Sequence, residues 1–237
     1  MGKICVSLAA SSPEDLTILL QKATLEAADY VEIRFDYLHT VDIHRALAEL
    51  IQNKICHRSV FTLRPPSEGG NFTGPESERV KLFKKLALAR PMLLDVELNT
   101  LKENIGLLNF FEQNQIPFMV SWHNFLGTPS KSDLLIKVNE MRKYSRFIKL
   151  VTTAKTVADA LNVISLYDAI KNINLIAFAM GEVGVLSRLL CTLYGNAPFT
   201  YASLDAPVAP GQLSIHIMRK LYEGIMRNTV RNCGESD

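Results

Sequence analysis

No stretch of the 237 residues approaches the ~18 consecutive apolar positions of a membrane-spanning helix. An excess of either charge is also missing. The 26 Lys and Arg are balanced by 24 Asp and Glu, and no basic stripe forms, so neither nucleic acid nor an anionic membrane surface is expected as a partner. Cys5, Cys56, Cys191 and Cys233 show no CxxC spacing, which in a chain of this length predicts reduced thiols and a cytoplasmic setting. No HExxH occurs, and His39, His44, His57 and His216 fall in predicted helices or loops without ligand spacing, so no metal is expected. The N-terminal apolar stretch, Ile4 to Ala10, is short for a secretory signal and reads better as a first β-strand. Asn71-Phe72-Thr73 matches a glycosylation sequon and is taken as a chance match.

What the sequence does contain is a regular alternation. Hydrophobic residues make up 48% of the chain, enough for one well-buried core, and one domain over residues 1–237 is expected. Eight β-like runs are predicted at Ile4–Ala9, Tyr30–Phe35, Ser59–Arg64, Met92–Leu98, Phe118–His123, Phe147–Thr152, Leu175–Met180 and Phe199–Leu204. Helical periodicity fills the intervals, with start signals at Ser12-Pro13-Glu14-Asp15, Ser130 to Asp133 and Thr156 to Asp159. Strands recurring about every 30 residues with helices between them indicate parallel βαβ units, and eight units predict an α/β fold, a (βα)₈ TIM barrel. An open doubly wound sheet would carry a glycine-rich loop after its first strand, where Ala9-Ala10-Ser11-Ser12 stands instead.

Side chains alternate faces along a strand. Glu32, Arg34 and Asp36 alternate with Ile33 and Phe35; Thr62 and Arg64 with Phe61 and Leu63; Asp95 and Glu97 with Leu94 and Val96. Ser121 and His123 alternate with Val120 and Trp122, and Lys149 stands between Ile148 and Leu150. Parallel strands are ordinarily apolar on both faces, so five successive strands place ionisable groups on one face, near the C-terminal ends where barrel enzymes hold their active sites. Interior salt bridges would account for Glu32, Asp36 and Asp95 alone. A lysine and a histidine in the same set point to chemistry.

Lys149 is the one lysine predicted to point into the barrel from mid-strand. In a dry site beside other cations, with Arg34, Arg64 and Arg188 as the candidates, a lysine amine becomes free to attack a ketone. Lys155, just past the same strand, is expected to face solvent. His123 has the intrinsic pKa for moving a proton, and Glu68, in the Arg64-Pro65-Pro66-Ser67-Glu68-Gly69-Gly70 loop, is placed to orient it. Arg188 suits bidentate pairing with a carboxylate, and Gln212, in Ala209-Pro210-Gly211-Gln212, suits hydrogen bonding to a polyhydroxylated substrate. Each residue taken singly has an ordinary structural reading: a satisfied core histidine, a helix-surface arginine, a common Gly-Gly turn.

Together, Glu32-Ile33-Arg34-Phe35-Asp36, Arg64 with Glu68-Gly69-Gly70, Ser121-Trp122-His123-Asn124-Phe125, Phe147-Ile148-Lys149, Met180-Gly181 with Ser187-Arg188, and Ala209-Pro210-Gly211-Gln212 form an ordered, specific set. By that set the chain resembles type I 3-dehydroquinate dehydratase from end to end. The resemblance implies a commonly dimeric barrel of the shikimate pathway that converts 3-dehydroquinate to 3-dehydroshikimate without a cofactor. It implies Lys149 as the Schiff-base lysine, His123 as general acid/base and Glu68 as its partner. It further implies Glu32, Arg34 and Arg64 as ligands of the substrate hydroxyls, Arg188 as the carboxylate ligand, Gln212 as a polar clamp, and cooperation or fusion with a shikimate dehydrogenase. One position departs: the family usually has Ser before Ala-Pro-Gly-Gln, and here Val208 stands there, leaving Ser203 or Thr200 to cover the gap. A class I aldolase, with a phosphate loop at Gly181 and Gly184, is the rival enzyme. A weakened scaffold module, with 228–237 as the start of a linker, is the rival of another class.

Overall fold

The structure, a computed structural model, describes residues 2–233. Eight strands form one parallel sheet: β1 Ile4–Leu8, β2 Tyr30–Arg34, β3 Ser59–Thr62, β4 Leu93–Glu97, β5 Phe118–His123, β6 Phe147–Thr153, β7 Asn174–Met180 and β8 Thr200–Ser203. Each predicted strand is present, shifted by at most two residues at either end. Helices α1 Pro13–Leu25, α2 Ile43–Gln52, α3 Glu76–Leu88, α4 Leu98–Glu103, α5 Ile105–Gln113, α6 Lys131–Met141, α7 Val157–Ile164, α8 Leu166–Ala169, α9 Val185–Leu193 and α10 Ile215–Cys233 lie between and after them. The segment 228–237 is helix through Cys233, and residues 234–237 lie outside the described residues.

The helices start where the sequence signals them. Ser12 Oγ accepts from the Asp15 amide and Ser130 Oγ from that of Asp133, while Thr156 and Asp159 close a reciprocal capping box.

The strand order β7-β6-β5-β4-β3-β2-β1-β8 is that of a barrel nearly closed on itself. Among the described residues no ladder joins β7 to β8, and side chains close that seam. Phe178 meets Tyr201 at a 6.3 Å centroid distance, and Thr200 Oγ1 donates to the Arg188 carbonyl at 2.7 Å. Register fixes which side chains share the interior: Ser7 pairs with Glu32, Thr62 with Asp95, Glu97 with Ser121, and Ser121 with Lys149. Paired residues in a sheet point the same way, so one polar face lines the barrel while Ile33, Phe61, Leu94, Val96, Val120 and Ile148, all buried, pack outward. Asp36 departs from the parity expected of it. It sits on a 3₁₀ turn, Phe35–Tyr37, after β2 has ended.

Candidate active site

Lys149, His123, Glu68, Glu32, Arg34, Arg64, Arg188 and Gln212 line a single cavity at the C-terminal ends of the strands. Ser203 does not line it. The residue is fully buried on β8 with no hydrogen-bond partner for its Oγ among the described residues, so it does not cover the position opposite Val208. Lys155 stays on the exposed rim, its backbone amide bonded to Asp159.

The β3–β4 side is built of interlocked ions. Lys149 Nζ donates to Asp95 Oδ2 at 2.9 Å and lies 3.6 Å from Glu32 Oε1, so two carboxylates flank it in addition to the nearby arginine cation. The same Asp95 oxygen accepts from Arg64 at 2.7 Å, and Arg64 also donates to Glu97 at 2.8 Å and to Ser121 Oγ at 2.6 Å. Glu97 is held in turn by Arg79 of α3 at 2.6 Å, an arginine only 2% exposed that also grips Glu76. Burial pushes the Asp95 carboxyl up, but Arg64 and Lys149 outweigh it and hold it far below the usual range. In Glu32 burial is likewise outweighed, by Lys149 and Arg34, and hydrogen bonds from Ser7 (2.7 Å) and Thr62 (2.9 Å) satisfy its oxygens. Arg34 is clamped in bidentate fashion by Asp36 at 2.9 and 2.7 Å.

His123 ends β5, and its Nδ1 lies 3.0 Å from Glu68 Oε2. Burial, then the positive charges of Arg64 and Lys149, hold the imidazole well below its ordinary value. Burial, opposed by Arg64 and aided by Glu97 and Asp95, pushes Glu68 up to about 7. The loop geometry that delivers Glu68 depends on Gly69. It has φ +77°, and a Cβ there would come within 2.4 Å of the ring of Phe125, which stacks on His123 with a 20° interplanar angle.

The β7–β8 side is different. Arg188 on α9 is 1% exposed, lies 4.4 Å from the Phe178 ring centroid and donates to the Pro210 carbonyl at 3.1 Å. Its Nε has no partner, and no carboxylate reaches it among the described residues. Burial pulls this guanidinium down to about 10. The loop after β8 closes over it. The Val208 amide donates to Gln212 Oε1 at 2.8 Å, Gln212 Nε2 donates to Ser7 Oγ at 3.2 Å, and Gly211, at φ +69°, packs against Gly181 where a Cβ would meet its carbonyl oxygen at 2.3 Å. The amides of Gly181 and Gly184 are already bonded, to Pro210 and Gly181, so neither of these two glycines offers a free amide to a phosphate as the aldolase reading needs.

Several members of this site carried no signal in the sequence. Arg79, at the end of a Glu-x-x-Arg pair, has the pattern of an exposed helix face. Tyr201 looks like one more core aromatic, and Ser7 like part of an apolar strand. Only a strand register, which links Ser7 to Glu32 and Tyr201 to Cys5, would have pointed to the last two.

A nearly closed (βα)₈ barrel whose C-terminal mouth gathers one lysine, a carboxylate-bound histidine and an arginine without a counter-ion defines the class: a barrel protein with a lysine-centred ionic cavity. The comparisons with known proteins narrow the class to a family. The type I 3-dehydroquinase family model matches residues 4–229, and the chain belongs to that family. The 3-dehydroquinate dehydratase of Dehalococcoides mccartyi is 36% identical over 203 residues, covering 84% of this chain and 87% of the relative. The crystal structure of 3-dehydroquinate dehydratase from Geobacillus kaustophilus superposes with a TM-score of 0.86 at 25% identity, covering 96% and 92% of the two chains. The dehydroquinate dehydratase and shikimate dehydrogenase of S. pombe AroM matches with a TM-score of 0.73 at 27% identity, over 92% of this chain but 43% of that longer one.

Proposed function

We propose that this chain dehydrates 3-dehydroquinate to 3-dehydroshikimate in the shikimate pathway, through an imine on Lys149. The observation that carries the reading is the conjunction, around one cavity, of a buried lysine, a histidine oriented by Glu68, and Arg188 buried without an anion. A buried unpaired cation is costly, and a substrate carboxylate would neutralise it in the bidentate geometry that guanidinium favours. Family membership supplies the substrate class.

In this reading Lys149 gives up an ammonium proton within the site, its amine adds to the ring ketone, and the carbinolamine takes a proton back as it loses water to give an iminium. The His123 ring nitrogen not engaged by Glu68 takes a proton from the adjacent CH₂, and the C–H electrons move onto nitrogen as an enamine. Those electrons return to expel the β-hydroxyl, which leaves as water with the proton that His123 had taken. Water then hydrolyses the conjugated imine, releasing 3-dehydroshikimate and restoring the amine, so the net change is loss of one water. Glu32, Arg34, Arg64 and Gln212 would hold the hydroxyls, and no cofactor enters the balance. Free thiols at Cys5, Cys56 and Cys191 agree with a cytoplasmic enzyme, and the family resemblance extends the reading to a homodimer, for which light scattering should give twice the chain mass.

Borohydride reduction in the presence of 3-dehydroquinate, followed by peptide mass mapping, tests the central claim. The adduct is expected on Lys149 and absent from Lys149→Ala, which should also form no enone absorbance above background. An adduct on another residue, or none, would overturn it.

A further inference from the structure

Lys149 Nζ has a neighbour that is not an ion. It lies 4.2 Å from the ring centroid of Tyr201, on the inner face of β8. That ring is 3% exposed, lines the same cavity, and is hemmed in by Phe178 at 6.3 Å and by Phe199 at 5.5 Å with a 69° edge-on contact. It therefore presents a fixed π face to the nitrogen. Its hydroxyl makes no hydrogen bond among the described residues, so the hydroxyl is not what anchors the residue here.

Condensation with a ketone changes what Nζ can bond to. An ammonium has three N–H donors; a protonated imine has one. One donor suffices for Asp95 Oδ2 at 2.9 Å, while Glu32 at 3.6 Å lies beyond a hydrogen bond in either state. A contact with an aromatic face needs no N–H, because it arises from the attraction of positive charge to the ring quadrupole. It survives condensation, and it favours the cationic imine over the neutral carbinolamine before it and the neutral enamine after it.

Resting on the proposed imine chemistry, we infer that the Tyr201 ring face positions Lys149 and raises the share of covalently bound ketone held as the protonated imine rather than as carbinolamine or enamine. The hydroxyl has no part in this, and the residue acts as an electrostatic platform for the electron sink.

The experiment is a graded series at position 201, read by kcat and by the fraction of enzyme trapped by limiting borohydride with 3-dehydroquinate. Tyr201→Leu, which removes the face, is expected to lower both by about 3- to 30-fold, the range that cation–π contacts span from exposed to desolvated. Tyr201→Phe keeps the face and should recover most of that loss. Replacement by mono-, di- and trifluorophenylalanine withdraws ring electrons at nearly constant shape. The logarithm of the trapped fraction should then fall stepwise with each fluorine, a trend that a merely structural ring would not give. Should Tyr201→Leu fail to fold, the isosteric fluorinated series still decides. A flat series on an enzyme whose parent traps normally at Lys149 would overturn the role of Tyr201 alone. Failure of the parent to trap at Lys149 would overturn both this inference and the imine reading.

Discussion

The two sides of the barrel mouth treat buried charge in opposite ways. On the β3–β4 side every ion has a counter-ion, with Asp95 Oδ1 alone lacking a hydrogen bond among the described atoms of that network: Arg79 holds Glu97, Glu97 and Asp95 hold Arg64, and Asp95 holds Lys149. On the β7–β8 side Arg188 is equally buried, and among the described residues its guanidinium meets only a carbonyl oxygen and an aromatic face. A completed network stabilises the fold and fixes geometry, whereas an incomplete one stores affinity for whatever completes it. The site thus pairs a rigid half, which sets the lysine, with a half awaiting an anion.

The largest expected effect comes from breaking the completed half. Arg64→Met leaves Asp95 and Glu97 buried without their shared cation and should lose about 3–5 kcal/mol of stability, seen as a lowered midpoint in denaturant. Arg188→Met, by contrast, removes an unanswered cation and should leave that midpoint unchanged or raise it. Equal losses in the two variants would erase the distinction. The acid side offers a second view. The folded Asp95 carboxyl lies far below its ordinary 3.8, so its contribution is fully present above that pH and is lost as pH falls from there through the depressed value. Arg64→Met should flatten that dependence.

Next in size is function on the open half. With its fold intact, Arg188→Met should lower kcat/KM for 3-dehydroquinate by about 10- to 100-fold, the worth of a charge-assisted pair, mainly through KM. A loss confined to kcat with KM unchanged would place the carboxylate elsewhere.

Between the halves stands the Glu68–His123 pair, where a smaller effect reads out a proton. While Glu68 is ionised it accepts from Nδ1–H, leaving the other ring nitrogen as a base; once protonated it can donate to Nδ1 and select the wrong tautomer. With Glu68 raised to about 7, activity should climb as pH rises through that value. Glu68→Gln, whose amide oxygen accepts at every pH, should remove this limb and shift the rise to lower pH, with a plateau kcat within about tenfold of the parent. An unchanged limb would assign it to another group.

The rigid half was the more legible in sequence. Its ions lie on successive strands, so the alternation of Glu32 and Arg34, of Asp95 and Glu97, and of Lys149 between Ile148 and Leu150 was visible as a polar face. The strand positions followed from apolar runs and caps such as Ser12 and Thr156. Asp36 escaped the rule because β2 ends at Arg34 and the 3₁₀ turn resets the parity. Arg79 escaped because a helix surface and a helix–barrel seam share one periodicity. The open half was illegible where it matters most: a sequence shows that Arg188 exists but not that every acid is spoken for elsewhere. Ser203 shows the limit from the other direction, having the right strand and residue type but no place on the cavity wall.

The smallest effect tests the family departure directly. Val208 borders the cavity on the open half, and its amide is already committed to Gln212, so the residue adds only apolar surface toward the substrate. Val208→Ser should supply one further hydroxyl there without disturbing that amide. A single neutral hydrogen bond is worth about 0.5–1.5 kcal/mol, so KM should fall by about two- to tenfold while kcat and the unfolding midpoint stay near the parent's. An unchanged KM would mean that Gln212, tied to Ser7 and through it to Glu32, already meets the substrate oxygen at that point. A higher KM would mean that the valine packs against the substrate ring, making the open half selective by shape as well as by charge.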